Sequence, residues 1–140
     1  PWERQGGRQI LEAPAFLQGP KGDLFLAYSA SACWSDDYAL GLLSAPKGSD
    51  PLAPDSWTKA PQPVLAKAPA NNVYAPGHNG FFTTQGGREA WIVYHANEGA
   101  NAGCSPKRSP RIQRMRWSVD GRPIFPVPAR AGASVPAPRP

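Results

Sequence analysis

Two side chains in this 140-residue chain have surroundings suited to acid–base chemistry, Glu12 and His78. Glu12 lies in Ile10-Leu11-Glu12-Ala13-Pro14-Ala15-Phe16-Leu17, a carboxylate in an apolar stretch interrupted by a proline. Taking a charged carboxylate out of water is costly, so a carboxyl placed there is expected to keep its proton toward neutral pH and to suit a general acid. An exposed loop position, or pairing with Arg8, is the other reading. His78 follows Asn71-Asn72-Val73-Tyr74-Ala75-Pro76-Gly77 and precedes Asn79-Gly80-Phe81-Phe82. A single His with no second His or carboxylate at ligand spacing does not define a metal site, and a turn histidine bonded to the backbone is the plain alternative. His95, the other histidine, ends an aromatic run and reads as structural. Asp36 and Asp37 stand between Trp34 and Tyr38, as acids in sugar sites often do. Neighbours on an extended chain point to opposite faces, so the two are expected to be structural or to line a subsite rather than to form a dyad. Cys33 and Cys104 are the only cysteines. A disulfide in an oxidising compartment and two separate thiols both remain open, and neither a His nor another activating group accompanies Cys33 as a nucleophile.

The elements that must hold these residues read as strands. Leu24-Phe25-Leu26-Ala27-Tyr28-Ser29 and Trp91-Ile92-Val93-Tyr94-His95 are short, continuous, rich in aromatic or branched residues, and preceded by glycine turns. Arg111–Trp117 alternates, with Arg111, Gln113, Met115 and Trp117 on one face and Ile112, Arg114 and Arg116 on the other. Tyr38–Leu43 is a further candidate, and Ser56–Lys59 and Pro123–Phe125 read as short edge pieces limited by prolines. A shift of 66 residues lays Leu24–Ala30 over Ala90–Ala96, Phe16 over Phe82 and Glu12 over His78. Each unit then contains four strands, which is the layout of a propeller blade. A polar residue at the start of each innermost strand would face the axis, so Glu12 and His78 are expected to share one space. Propellers need roughly four to eight blades, so two units do not close a ring.

Composition agrees with an all-β, turn-rich chain. Fourteen Gly and 18 Pro disfavour long helices, while 5 Trp, 4 Tyr and 5 Phe supply a core that offsets ordering entropy. No apolar run approaches the roughly 18 to 20 residues that cross a bilayer, so no membrane partner is expected. The net charge of +5 is concentrated at one end: residues 1–100 hold seven Lys/Arg against nine Asp/Glu, and residues 101–140 hold eight against one. Such a basic end reads either as an electrostatic footprint for nucleic acid or an acidic polysaccharide, or as plain solubilising arginine. No RNA-module signature, zinc-finger spacing or recognition helix accompanies it, so no nucleic-acid partner is expected. Residues 1–128 read as the folded part and 129–140 as a Pro/Ala-rich flexible tail.

Taken in order, Trp2-Glu3-Arg4, Glu12-Ala13-Pro14, Tyr28-Ser29-Ala30-Ser31-Ala32-Cys33-Trp34, Asp37-Tyr38-Ala39-Leu40-Gly41, Pro76-Gly77-His78-Asn79, Trp91–Ala96 and Asp120-Gly121-Arg122-Pro123 resemble glycoside hydrolase family 43, and within it the secreted α-L-arabinofuranosidase-like members. The resemblance implies a five-bladed β-propeller, of which this chain would supply about two C-terminal blades and so be incomplete as given. It implies an inverting glycosidase acting on arabinose- or xylose-containing oligo- or polysaccharides outside the cell. Carried over, Glu12 is similar to the family's general acid, His78 to a central histidine that binds a cation, often Ca2+, through water, and Arg111 to a basic residue near the substrate. Trp34 is expected to bind sugar. Ala13 and Ala75 stand where the family usually has Gly. The catalytic base and a third carboxylate belong to blades that the resemblance puts upstream of Pro1, so the chain by itself is expected to be inactive. A freestanding carbohydrate-binding β module, with Trp34, Tyr38 and Tyr74 as platforms, is the alternative.

Overall fold

Leu24–Ala30 and Ala90–Asn97 each follow a glycine turn and are too short and too continuously apolar for a helix. In the computed structural model, which describes residues 1–139, both are central strands. The described residues are all-β, with eight strands: β1 (Leu11–Gln18), β2 (Leu24–Ala30), β3 (Ala39–Ala45), β4 (Thr58–Lys59), β5 (Tyr74–Thr83), β6 (Ala90–Asn97), β7 (Ser109–Trp117) and β8 (Pro123–Ile124). They form two four-stranded antiparallel sheets in chain order, β1-β2-β3-β4 and β5-β6-β7-β8. The edge strands β4 and β8 are two residues each. Pro54 and Pro61 stand on either side of β4, and β8 begins at Pro123 and is followed by Pro126; a residue without an amide proton cannot extend the ladder. Ser56, expected to open an edge strand, ends a short 3-10 turn over Pro54–Ser56 instead, because Pro54 starts that turn with its φ preset.

Burial follows the pleat. In β7 the residues Arg111, Gln113, Met115 and Trp117 are buried or half-buried, while Ile112, Arg114 and Arg116 are exposed. One apolar cluster joins the two sheets: Leu17, Phe25, Ala27, Leu40 and Leu42 from the first meet Ala90, Ile92, Tyr94, Ala96 and Met115 from the second, with Leu65 and Val73 from the connection between them. The innermost strands β1 and β5 run beside each other at this junction.

Both inner strands are irregular where they carry their polar residues. The β1–β2 register shifts between Glu12 and Ala15, and the β5–β6 register shifts between Tyr74 and Gly77 and again between Gly77 and Gly80. Ala13 (φ 51°), Ala75 (φ 48°) and His78 (φ 53°) all take left-handed backbone there. Bulges of this kind bend a strand and re-aim its side chains. Cys33, in the loop after β2, and Cys104, in the loop after β6, form a disulfide with a Cα–Cα distance of 5.2 Å. Ala129, at the start of the Pro/Ala-rich end, accepts from Arg111 Nη1 (2.6 Å) and donates to Gln113 Oε1 (3.1 Å). Further along, the Arg139 amide donates to Glu89 Oε2 (3.1 Å). Pro140, the last residue of that predicted tail, lies outside the described residues.

Candidate active site

The bulge in β1 delivers Glu12 to the start of the inner strand, where the carboxylate is half-buried. Its Oε1 accepts a 2.6 Å hydrogen bond from the Tyr38 hydroxyl. Tyr38 lies just before β3 and is almost fully buried. Burial, reinforced by the Glu12 hydrogen bond, pushes its hydroxyl well above the ordinary tyrosine range, so it remains a donor. The Tyr38 ring lies flat against His95, with centroids 6.1 Å apart and planes 8° from parallel. His95 in turn stands 6.0 Å from the His78 ring. A continuous series of side chains, Glu12, Tyr38, His95 and His78, therefore runs between the inner strands of the two sheets.

Two local features hold this series. The His78 amide donates to Ser29 Oγ at 2.8 Å, tying β5 to a fully buried hydroxyl on β2. Gly77 lets the β5 backbone touch the Tyr38 ring: a Cβ there would lie 2.2 Å from Tyr38 Cε1. No side chain fits at that distance, so the glycine is required by the packing that fixes Tyr38.

Electrostatics single out His95. Arg108 Nη1 lies 3.1 Å from His95 Nε2. A guanidinium can only donate, so Nε2 is the acceptor and the imidazole carries its hydrogen on Nδ1. Burial, then the positive charge of Arg108, then His78 push the His95 pKa down to about 4. His95 is therefore neutral near pH 7. Its buried Nδ1 has no hydrogen-bond partner, and neither has either polar atom of the adjacent buried amide, Asn79.

The sequence-derived candidates divide. Glu12 and His78 are brought to one cluster. Arg111 has its polar contacts with Ala129 (2.6 Å) and Glu98 (3.8 Å), and the basic residue beside His95 is Arg108. Trp34 is 47% exposed, with its indole nitrogen donating to Gly6 O at 2.9 Å. Asp36 accepts from the Asn101 amide and Asp37 pairs with Lys67 at 2.8 Å, so the two acids are turned to different partners. Sequence reasoning offered Tyr38 only as a sugar platform and missed its bond to Glu12, along with Arg108 and the placement of His95. The 66-residue shift could have found the last, since it lays His95 over Ser29, and Ser29 pairs directly with Glu12.

The donor set tests the expected cation. Ca2+ takes six to eight oxygen ligands, and among the described residues no three His, Cys, Asp or Glu side chains group to hold a metal. The imidazole of His78 and the unpartnered Asn79 Oδ1 do not make a first coordination sphere. Also among the described residues, no helix is long and apolar enough to cross a membrane.

The model of glycosyl hydrolases family 43 matches residues 2–123. Over 137 residues the chain is 38% identical to the extracellular exo-α-(1→5)-L-arabinofuranosidase of Streptomyces avermitilis, a match covering 95% of this chain and 28% of that protein. It is 36% identical over 135 residues to α-L-arabinofuranosidase 43 of Humicola insolens, covering 94% of this chain and 27% of that protein. The crystal structure of an α-L-arabinofuranosidase from Lactobacillus brevis superposes with a TM-score of 0.85 at 31% identity, over 95% of this chain and 41% of that one. The chain thus spans 28% and 27% of the lengths of the two named relatives.

Proposed function

The chain belongs to glycosyl hydrolases family 43, and on that premise we propose that it forms two C-terminal blades of a five-bladed propeller hydrolysing glycosidic bonds of arabinose- or xylose-containing saccharides with inversion. The observation that carries this reading is the Glu12 carboxyl, held by Tyr38 at the start of an inner strand beside His95 and His78. The names of the relatives and the four-stranded meander of each sheet support it.

Hydrolysis with inversion needs a carboxylic acid that protonates the leaving oxygen and a carboxylate that activates water on the opposite side, the two roughly 6.5 to 9.5 Å apart. Glu12 takes the first role. Because Tyr38 donates to Oε1, the transferable proton sits on Oε2, and the same hydrogen bond fixes which way that oxygen points. Glycine at 77 and the flat stack on His95 keep Tyr38 from turning, so the acid is preorganised rather than free to rotate. Arg108 supplies a donor for a sugar hydroxyl, and exposed Trp34 offers an apolar face for a ring. A hydrated Ca2+ would touch this chain only through water at His78, and no step depends on it. The base belongs to the other blades. The disulfide and the word extracellular in a relative's name support action outside the cell.

An arabino-oligosaccharide, whose leaving group needs protonation, gives the test. The 140-residue chain alone should release no arabinose. A chimera in which residues 2–123 replace the matching stretch of the Streptomyces avermitilis enzyme should be active, and Glu12→Gln in that chimera should lower kcat by about 10² to 10⁴. A folded chimera without activity, or one indifferent to Glu12→Gln, would overturn the reading.

A further inference from the structure

Of the basic C-terminal part of the chain the hydrolytic reading uses only Arg108, and another of its arginines is in an unusual state. The Arg111 side chain is only 8% exposed. Its Nη1 is anchored on the Ala129 carbonyl at 2.6 Å, but Nε and Nη2 are buried with no hydrogen-bond partner. A guanidinium stays charged at any physiological pH, and leaving a buried charged donor unpaired is expensive. The two unpartnered nitrogens form one edge of the guanidinium, the edge that receives the two oxygens of a carboxylate in parallel.

Arg111 is one wall of a groove of about 400 Å³ between β7 and the C-terminal segment, a volume in the range of small-ligand sites. The groove continues past Glu98 and Arg130 toward Asn72, adding about 220 Å³, enough to extend beyond one sugar ring. It begins at the β6–β7 turn, where Arg108 meets His95, so it opens at the same end of the second sheet as the candidate active site. We infer that this groove binds an acidic saccharide, with the carboxylate of a uronic acid residue seated on the Nε/Nη2 edge of Arg111.

Glu98 is the nearest group that could satisfy Arg111 from within. It stands 3.8 Å from Nη2, beyond hydrogen-bond reach, is more than half exposed, and already accepts from Ser109 Oγ at 3.1 Å. A ligand therefore reaches the edge by turning Glu98 aside. Arg130 adds positive charge to the groove. Its apolar lining is aliphatic, including Ile112 and Val135, and offers no aromatic face to stack a base. That favours an acidic sugar over a nucleic acid, for which base stacking is the common device. The inference does not require hydrolysis, because it concerns binding by this chain alone.

Amide shifts of the 140-residue chain titrated with trigalacturonate test it. The amides of Glu98, Ser109, Arg111 and Ala131 should move. Arg111→Lys, which keeps the charge and loses the fork, should weaken binding by about tenfold or more. Glu98→Gln, a change at an exposed residue, should tighten it about threefold by removing a competing carboxylate. If Glu98 is instead Arg111's resident partner, Glu98→Gln lowers the melting temperature and binding does not improve, which overturns the inference. Equal affinity at these amides for neutral arabinotriose, inorganic phosphate or a single-stranded oligodeoxynucleotide also overturns it, as does binding unchanged in Arg111→Lys.

Discussion

His95 is flat against the tyrosine that holds Glu12, so protonating the imidazole acts on the acid through one intervening ring. Its pKa is lowered from 6.5 to about 4 by burial and by Arg108. The unfolded chain then takes up a proton at His95 before the folded chain does. Stability should be full above about pH 6.5 and fall progressively as the pH drops toward 4. Glu3 and Glu89, both held below their ordinary 4.5, lose their contributions only as the pH falls below that value, so the span from 6.5 to 4.5 reports mainly on the histidine. We expect the urea midpoint to decline across that span in the native chain and to stay nearly level in His95→Gln. A native midpoint that is flat between those two values would show that burial and Arg108 do not suppress the imidazole's proton. This residue was the least legible in the sequence. Alternation along β6 says which residues share a face with His95 but not which face turns inward. Arg108, just before β7, and Arg111, within it, could not be told apart by pattern either.

At the scale of the strand, the legible features were those set by local chemistry. Aromatic runs after glycine turns became β2 and β6, and prolines cut β4 and β8 to two residues. The bulges in β1 and β5 were not legible as such. Their trace in the sequence is the pair of alanines where the resembled family usually has glycine, and the structure gives the physical reason: Ala13 and Ala75 have φ of 51° and 48°. A Cβ in left-handed backbone costs roughly 1–2 kcal/mol, partly offset in a glycine variant by the extra freedom of its unfolded chain. Ala13→Gly and Ala75→Gly should therefore each stabilise the protein by about 0.5 to 1 kcal/mol, raising the melting temperature by about 2–4 °C. Neither alanine lies more than three residues from Glu12 or His78, so the left-handed turns and the site belong to the same bulges. Thermal unfolding of the two single variants checks this, and a lower melting temperature in both would mean that the alanine methyls pack to advantage.

For the whole molecule, the 66-residue repeat gave the division into two four-stranded sheets, and the structure added the means by which they are joined. The Cys33–Cys104 bond closes a separation of 71 residues and links corresponding loops of the two sheets. The repeat puts both cysteines in the loop after the second strand of their unit, which allows a bond, but it left free thiols nearly as open, because it does not fix how closely two loops approach. A crosslink over so long a stretch should stabilise by about 4 kcal/mol through the unfolded chain. The double variant Cys33→Ser, Cys104→Ser should lose about that much in urea unfolding, and dithiothreitol should shift the native chain to the same midpoint. Equal stability with and without reductant would mean that the two sulfurs are not joined.

The apolar cluster draws on both sheets and on the strandless connection through Leu65 and Val73. Recombination that broke the gene between β4 and β5 would hand each descendant half a core with water on its open side. A breakpoint outside the pair would carry this shared cluster whole. The two-sheet unit, rather than the single sheet, is thus the smallest piece that could be moved from one protein to another without splitting that cluster.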